Sequence, residues 1–199
     1  VASEPLSKTA LGQARSRLLA YRRFLPSLDL KRRQLIAERN KARAESSALE
    51  QRREALTREA GETVPMLAMD AIKLDGLARL EQVRYGRANV VGVILPVLEA
   101  VEIEIRPYGF LVRPHWVDRV AELLQKALRL EVEIMVAARR IALLDEAVKK
   151  VTQRVNLFEK VLIPRTQAHI RKIQIVLGDA ERAGVVTAKL AKTKRADAA

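Results

Sequence analysis

A seven-residue apolar repeat along the N-terminal flank constrains this chain more than any other feature. Ala14, Tyr21, Leu28, Leu35, Ala42, Leu49 and Leu56 recur at that interval without interruption. Leu11, Leu18 and Leu25 hold the companion position, which then becomes Arg32, Arg39, Ser46 and Arg53. A strict period of seven stays on one side of an α-helix only if the helix supercoils left-handedly about a partner. With one stripe complete and the other half polar, the seam is too narrow for a globular core and suits contact with a single helix.

The C-terminal flank has the same character. Ile134, Ile141, Leu144, Val148, Val151, Val155, Phe158 and Leu162 follow steps of three and four after the first interval. Beyond Pro164 the apolar positions are Ile163, Thr166, Ile170, Ile173 and Leu177, so the stripe has moved round by one residue. Such a displacement resembles a coiled-coil stutter, where the supercoil locally unwinds. Proline lacks the amide a helix needs and its ring meets the carbonyl one turn back. The stripe continues past it, however, which predicts a kink at Pro164 in a continuous rod, with the carbonyl of Lys160 freed. If helical throughout, residues 117 to 177 span roughly 90 Å at about 1.5 Å per residue, too long for a compact domain.

Chain breakers concentrate between the flanks. Gly61, Gly76, Gly86, Gly92 and Gly109 lie there with Pro65, Pro96, Pro107 and Pro114. Within this insert "PMLAMDAIKLDGLARLEQV", residues 65 to 83, has helical spacing, weakest at Gly76. "NVVGVILPVLEAVEIEIRPYGFLV" is β-branched and bounded by Pro and Gly, as short strands are, and "EAVEIEI" alternates like a half-exposed strand. The reading is a mainly α protein: a long antiparallel two-helix coiled coil formed by the N- and C-terminal flanks, with a small central helix and β-hairpin insert. The segments are 1–60 (N-terminal helix), 61–115 (insert), 116–182 (C-terminal helix) and 183–199 (basic tail). A shorter helical bundle is the alternative, but it requires wider apolar faces and more loop signals within each flank. Pro26, inside the first flank, either kinks that helix or delays its start.

Composition agrees: aromatics are 4% and charged residues 31% of the chain, and Ala, Glu, Lys, Leu and Arg dominate, as in long helices. Without cysteine there are no disulfides or thiolate metal sites, which fits a cytoplasmic protein. No apolar run approaches the ~20 residues of a membrane span, and the first residues lack the layout of a signal peptide. There is no phosphate-binding G-x-x-x-x-G-K-[ST] loop. His115 and His169 have no metal-ligand spacing, and the carboxylates are scattered along charged faces. The chain is therefore expected to be non-catalytic, with no cofactor and no metal. An enzyme built from scattered carboxylates and His169 is the weakest reading.

The net charge of +13 implies an anionic partner. Arg22, Arg23, Lys31, Arg32, Arg33, Arg39, Lys41 and Arg43 face only Asp29 and Glu38 in their stretch, and Lys189, Lys192, Lys194 and Arg195 form a second group. A basic coiled coil binding nucleic acid or an acidic membrane surface is therefore an alternative function. Against it, base-stacking aromatics are missing from both groups and no nucleic-acid-binding fold pattern is visible. Non-specific phosphate contact requires only cations and predicts a steep loss of affinity as salt rises.

"RVNLFEKVLIPRTQAHIRKIQIVLGDAERA", residues 154 to 183, resembles the "RVNxLExxxIPxxxxxIxxIxxxLxExER" pattern of the D subunits of V-type (archaeal and vacuolar) rotary ATPases. Gly178 departs from it, where the family favours a helix former. "LDLKRRQLIAE" (28–38) is similar to that family's "LLKxKRxxLxxE", Pro5 and Leu11 to its start, "VVGVILPV" (90–97) to its central strand region, and "KLAKTK" to its C-terminal "LKxxK". The resemblance implies a central-stalk rotor subunit involved in ATP synthesis or hydrolysis and in ion (H+ or Na+) transport. Its paired helices would enter a ring of A and B subunits, bind a small F subunit, and couple through a funnel-shaped subunit to the membrane rotor ring. It implies a cytoplasmic place, peripheral to the membrane in the soluble sector. On that reading the candidate partner contacts are Arg22, Arg23, Arg32, Arg33, Arg39, Arg43, Arg154, Asn156 and Arg165. Each is otherwise an ordinary solvated residue of a helix flank.

Overall fold

In the computed structural model, residues 5–64, 76–106 and 116–196 are described. Helix α1 is Lys8–Thr63, strand β1 Ala78–Val90, strand β2 Val93–Ile105 and helix α2 Trp116–Asn156. A π-helical turn, Leu157–Leu162, leads directly into helix α3, Ile163–Ala196. The chain divides into two compact units, one of Val1–Arg32 with Lys150–Ala199, the other Arg33–Lys149. It is mainly helical with one antiparallel hairpin.

In the first unit, Ser7 caps α1: its hydroxyl accepts the Ala10 amide at 3.2 Å, and its carbonyl accepts that of Leu11 at 2.9 Å. Ala14 is buried and Tyr21 and Leu28 half-buried, so the seven-residue stripe is the covered face. Opposite it, Val151, Val155 and Ile173 are buried. Tyr21 meets Phe158 edge-on, ring centres 5.4 Å apart and planes at 86°, the arrangement that aligns ring edge with π face. Pro26 lies inside α1, so the helix does not start late. Its ring leaves the Arg22 carbonyl without an amide donor. One residue on, the Ser27 hydroxyl donates to the Phe24 carbonyl at 2.8 Å.

The displacement of the second stripe has a local cause other than a supercoil stutter. At the end of the π-turn the Ile163 amide reaches back five residues, to the Phe158 carbonyl. A five-residue step inserts one extra residue, and one residue is the distance by which the stripe moves. Continued as a plain α-helix, the steps from Val155, Phe158 and Leu162 would bring Arg165, His169, Lys172 and Val176 into the seam. With the extra residue, Ile163, Thr166 and Ile170 are half-buried and Ile173 is fully buried, while Arg165, Lys172 and Val176 are exposed. The π-turn thus keeps the basic side chains of Arg165 and Lys172 out of an apolar interface, where unpaired charge is costly. In this register a residue-164 amide would face Glu159, not Lys160, and proline offers none.

In the second unit Leu35 and Ala42 are buried and Leu49 and Leu56 half-buried, against Val132, Val136, Leu144 and Val148 of α2. Ion pairs fix the direction of this pairing. Glu59 meets Arg119 at 2.6 Å, Arg53 meets Glu131 at 3.9 Å, Glu45 meets Arg140 at 3.3 Å and Arg43 meets Asp145 at 3.0 Å. Numbers rise along α1 as they fall along α2, so the segments run antiparallel. At one end Val64, Leu77, Val117, Val120, Ala121 and Leu123 form a buried cluster walled by Leu56, Ala60, Trp116 and Leu124. It ties the end of α1, the foot of the hairpin and the start of α2 together. The Arg106 amide closes the foot on the Leu77 carbonyl at 2.9 Å.

The hairpin is longer than the short strands expected, 13 residues in each arm. Residues 78–83, expected as the end of a helix, belong to β1 and pair with β2. The helical propensity of "ARLEQV" gives way because the β-branched run of β2 gains a hydrogen-bonded ladder from it. The rest of that expected helix, 65–75, lies outside the described residues, as do 107–115. The ladder is irregular between Leu80 and Gln82 and between Arg84 and Tyr85. Val91 and Gly92 make the two-residue turn with φ of 53° and 78°, and the Asn89 side chain accepts the Gly92 amide at 2.9 Å. Positive φ at both central positions is the type I′ pattern that matches strand twist. Glycine meets it without strain; a β-branched residue does not. Val91→Asn is therefore expected to stabilise the second unit by about 1 kcal/mol, read as a higher urea midpoint and slower amide exchange in the last rungs of the hairpin.

The other boundaries shift in detail. Helix α1 extends to Thr63, and Trp116 is the first described residue of α2. The segment 183–196, expected as a basic tail, is the continuation of α3. It contains no proline, and Lys194 and Arg195 in its last turn favour the negative end of the helix dipole.

Candidate functional site

The candidate contacts differ in their exposure and in the ion pairs they form. In the first unit Arg32 is paired with Asp29 one turn earlier. Arg22, Arg23 and Arg154 are exposed and Asn156 half-buried just before the π-turn. Arg165 is exposed just after Pro164 and lines a cavity of about 220 Å³ with Arg17, Tyr21 and His169. In the second unit Arg43 places one guanidinium nitrogen 3.1 and 3.0 Å from the two oxygens of Asp145. Arg39 approaches the same carboxylate at 3.6 Å and donates to the Asn40 amide oxygen at 3.1 Å. Arg33 is exposed. Sequence reading missed this clasp because Asp145 lies 102 positions from Arg43. The available signal was the four-residue spacing of Arg39 and Arg43, which puts both on one face of a helix.

Two further surfaces were not singled out from the sequence. In the hairpin Tyr85, Ile94 and Val97 are exposed, Ile94 by 62%. Among the described residues of the first unit, no helix covers the last stretch of α3. Ile173 is its last buried residue, and every residue from Asp179 to Ala196 is exposed, including Val185, Val186 and Leu190. The geometry accounts for this. Antiparallel pairing with a helix that starts at Lys8 runs out near Leu177. Among the described residues no group of His, Asp and Glu is placed to hold a metal ion, and no helix is long and apolar enough to cross a membrane.

These features define a protein of long antiparallel helices with a β-hairpin, offering charged and apolar surface on helix flanks. The chain belongs to the ATP synthase D-subunit family, whose model matches residues 10–193. It is 31% identical over 188 residues to the V-type ATP synthase D subunit of Borreliella burgdorferi, covering 94% of this chain and 93% of that protein. It is 33% identical over 192 residues to the protein of the same name from Chlamydia felis, covering 95% and 92%. The Chlamydia trachomatis serovar L2 protein, also a V-type ATP synthase D subunit, is 32% identical over 193 residues, covering 95% and 94%. The family is that of a rotary ATPase component, as the resemblance at residues 154–183 implies.

Proposed function

We propose that this chain is the central-stalk rotor subunit of a V-type ATPase, a non-catalytic shaft that transmits torque between an A/B catalytic ring and the ion-translocating membrane rotor. The observation that carries the reading is family membership across residues 10–193, which takes in both helical flanks and the hairpin. The end of α3 supports it. An unpaired helix with exposed Val185, Val186 and Leu190 has little intrinsic stability in water and gains it by burial against other chains. A ring of A and B subunits would supply that surrounding. Other proposed partners are an F subunit on the paired helices and a funnel-shaped subunit toward the membrane, where the complex sits peripherally on the cytoplasmic side.

In this reading the two flanks supercoil about each other, and stiffness comes from pairing. Pro164 and the preceding π-turn place a kink in the shaft. Arg22, Arg23, Arg33, Arg154, Asn156 and Arg165 are the proposed partner contacts. Arg32, Arg39 and Arg43 would first have to leave Asp29 and Asp145. Exposed ion pairs contribute about 0–1 kcal/mol each, so a polar surface can exchange partners between angular states where large apolar anchors would hold one. The same engaged arginines weaken the nucleic-acid alternative, because they interrupt the basic run from 22 to 43. Reconstituting an A–B ring with and without the chain tests the proposal. ATP turnover coupled to rotation is expected only with it; an unchanged ATPase rate and no rotation would overturn it.

A further inference from the structure

The two outer edges of the hairpin are not alike. Val90 and Val93 flank the two-residue turn and close it as a hydrogen-bonded pair. From there, bonded and non-bonded pairs alternate along an antiparallel ladder. Ala88–Leu95 and Gly86–Val97 turn their backbone groups toward each other, while Asn89–Ile94, Arg87–Pro96 and Tyr85–Leu98 turn theirs outward. Pro96 agrees with this alternation, because a residue without an N–H fits where the ladder needs no donor. The outer edge of β2 is thus blunted by a proline. Along it, Pro96, Val97 and Leu98 share a cavity of about 330 Å³ with Leu49 of α1 and Val136 of α2. The outer edge of β1 presents the N–H and C=O groups of Tyr85, Arg87 and Asn89. Among the described residues no hydrogen bond reaches those groups. We propose that this edge takes up an extended segment of another protein chain, alternating apolar and acidic residues, as a third strand.

Side chains set which strand fits. Gly86, Ala88 and Val90 are half-buried on one face of β1, and Tyr85, Arg87 and Asn89 are exposed on the other. A neighbouring strand must match both faces, apolar beside the first and polar beside the second. Charge then selects the polar residues. Arg84 meets Glu102 at 2.5 Å, and Arg79 stands opposite Glu104. Arg87 stands opposite Pro96, and among the described residues no carboxylate pairs with it. A cation midway along an open edge repels a basic strand and disfavours a wholly apolar one. It welcomes a carboxylate from the strand beside it. The fold already contains such a pairing: "VEIEI", residues 101–105, alternates in this way and lies along the first half of β1. Main-chain bonds would hold the added strand, and its alternate side chains would give selectivity. The inference stands apart from the rotor reading, since it rests only on the register and polarity of the hairpin.

The test uses the full chain and a blocked peptide of alternating valine and glutamate, about seven residues long. A valine–lysine peptide is its counterpart, and amide exchange is read residue by residue by NMR. In the dilute free chain the Arg87 and Asn89 amides are expected to exchange at least about tenfold faster than those of Gly86 and Ala88. The glutamate peptide is expected to slow both saturably, with a midpoint at or below about 1 mM, and the lysine peptide to leave them unchanged. Arg87→Gln keeps the N–H and removes the charge, and is expected to raise the midpoint about two- to fivefold. Arg87→Pro removes an N–H that the ladder does not use, so the hairpin persists while the midpoint rises at least about tenfold. Arg87→Gln alone serves if the proline disturbs the ladder. Protection of Arg87 and Asn89 in the free chain overturns the proposal, because the edge is then already covered. Protection that grows with chain concentration also overturns it, since a second copy is then the occupant. So does an equal response to the two peptides, no saturable response, or a midpoint that ignores both substitutions.

Discussion

Leu35→Ala is expected to destabilise the chain by about 2–5 kcal/mol, measured as a lower urea midpoint at unchanged slope. Leu35 is fully buried at 0% exposure, and it belongs to the seven-residue stripe that organises the first flank. Truncation removes three heavy atoms from a dry seam and leaves a cavity that two paired helices close poorly, since each is held by its neighbouring turns. Leu19 is the control. It is just as apolar but 71% exposed, so Leu19→Ala should stay within about 0.5 kcal/mol of the parent. Equal losses at the two positions would mean that the stripe is not what holds the flanks together.

The second large effect concerns the length of the π-turn. Inserting one alanine between Val161 and Leu162 is expected to cost on the order of 4 kcal/mol, because Ile173 loses full burial and Ile170 and Leu177 lose part of theirs. It also turns Arg165, His169 and Lys172 toward the seam. Deleting Val161 instead removes the extra residue, and an ordinary α-helix then carries Ile163, Thr166, Ile170, Ile173 and Leu177 along the stripe. In that background the ring of Pro164 again meets a carbonyl four residues back. The deletion combined with Pro164→Ala is therefore expected to be at least as stable as the parent. Thermal or urea unfolding of the three proteins reads the asymmetry. A deletion as damaging as the insertion would show that the π-turn is not set by the apolar pattern. Pro164→Ala alone should retain the five-residue bond from Ile163 to Phe158, because the misfit lies in the pattern and the proline only occupies it.

Much of this architecture was written in periodicity. The repeat from Ala14 to Leu56 marks the covered face of α1, and the alternating threes and fours from Ile141 to Leu162 mark that of the second flank. The one-residue displacement beyond Leu162 was visible too. Its cause was not, because an inserted residue and a stutter rotate a stripe alike, and only the Ile163 to Phe158 hydrogen bond separates them. The hairpin was half legible. The β-branched residues of β2 declared a strand, while "ARLEQV" has helical propensity and becomes β1 only through its partner. Residues that act in isolation were least legible. Arg39 and Arg43 read as outward cations, and their engagement with Asp145 depends on a pairing 102 residues away. The exposed end of α3 became apparent only from where its companion begins.

The rotor assignment is tested most directly by stopping the shaft. The chain contains no cysteine, so Val186→Cys, at an exposed position of α3, gives one thiol. It can be joined through a disulfide to a cysteine introduced on the inner wall of the A–B ring. The account predicts that oxidation arrests multiple-turnover ATP hydrolysis and that reduction restores it in full. Hydrolysis that continues at the parent rate with the disulfide formed would contradict it.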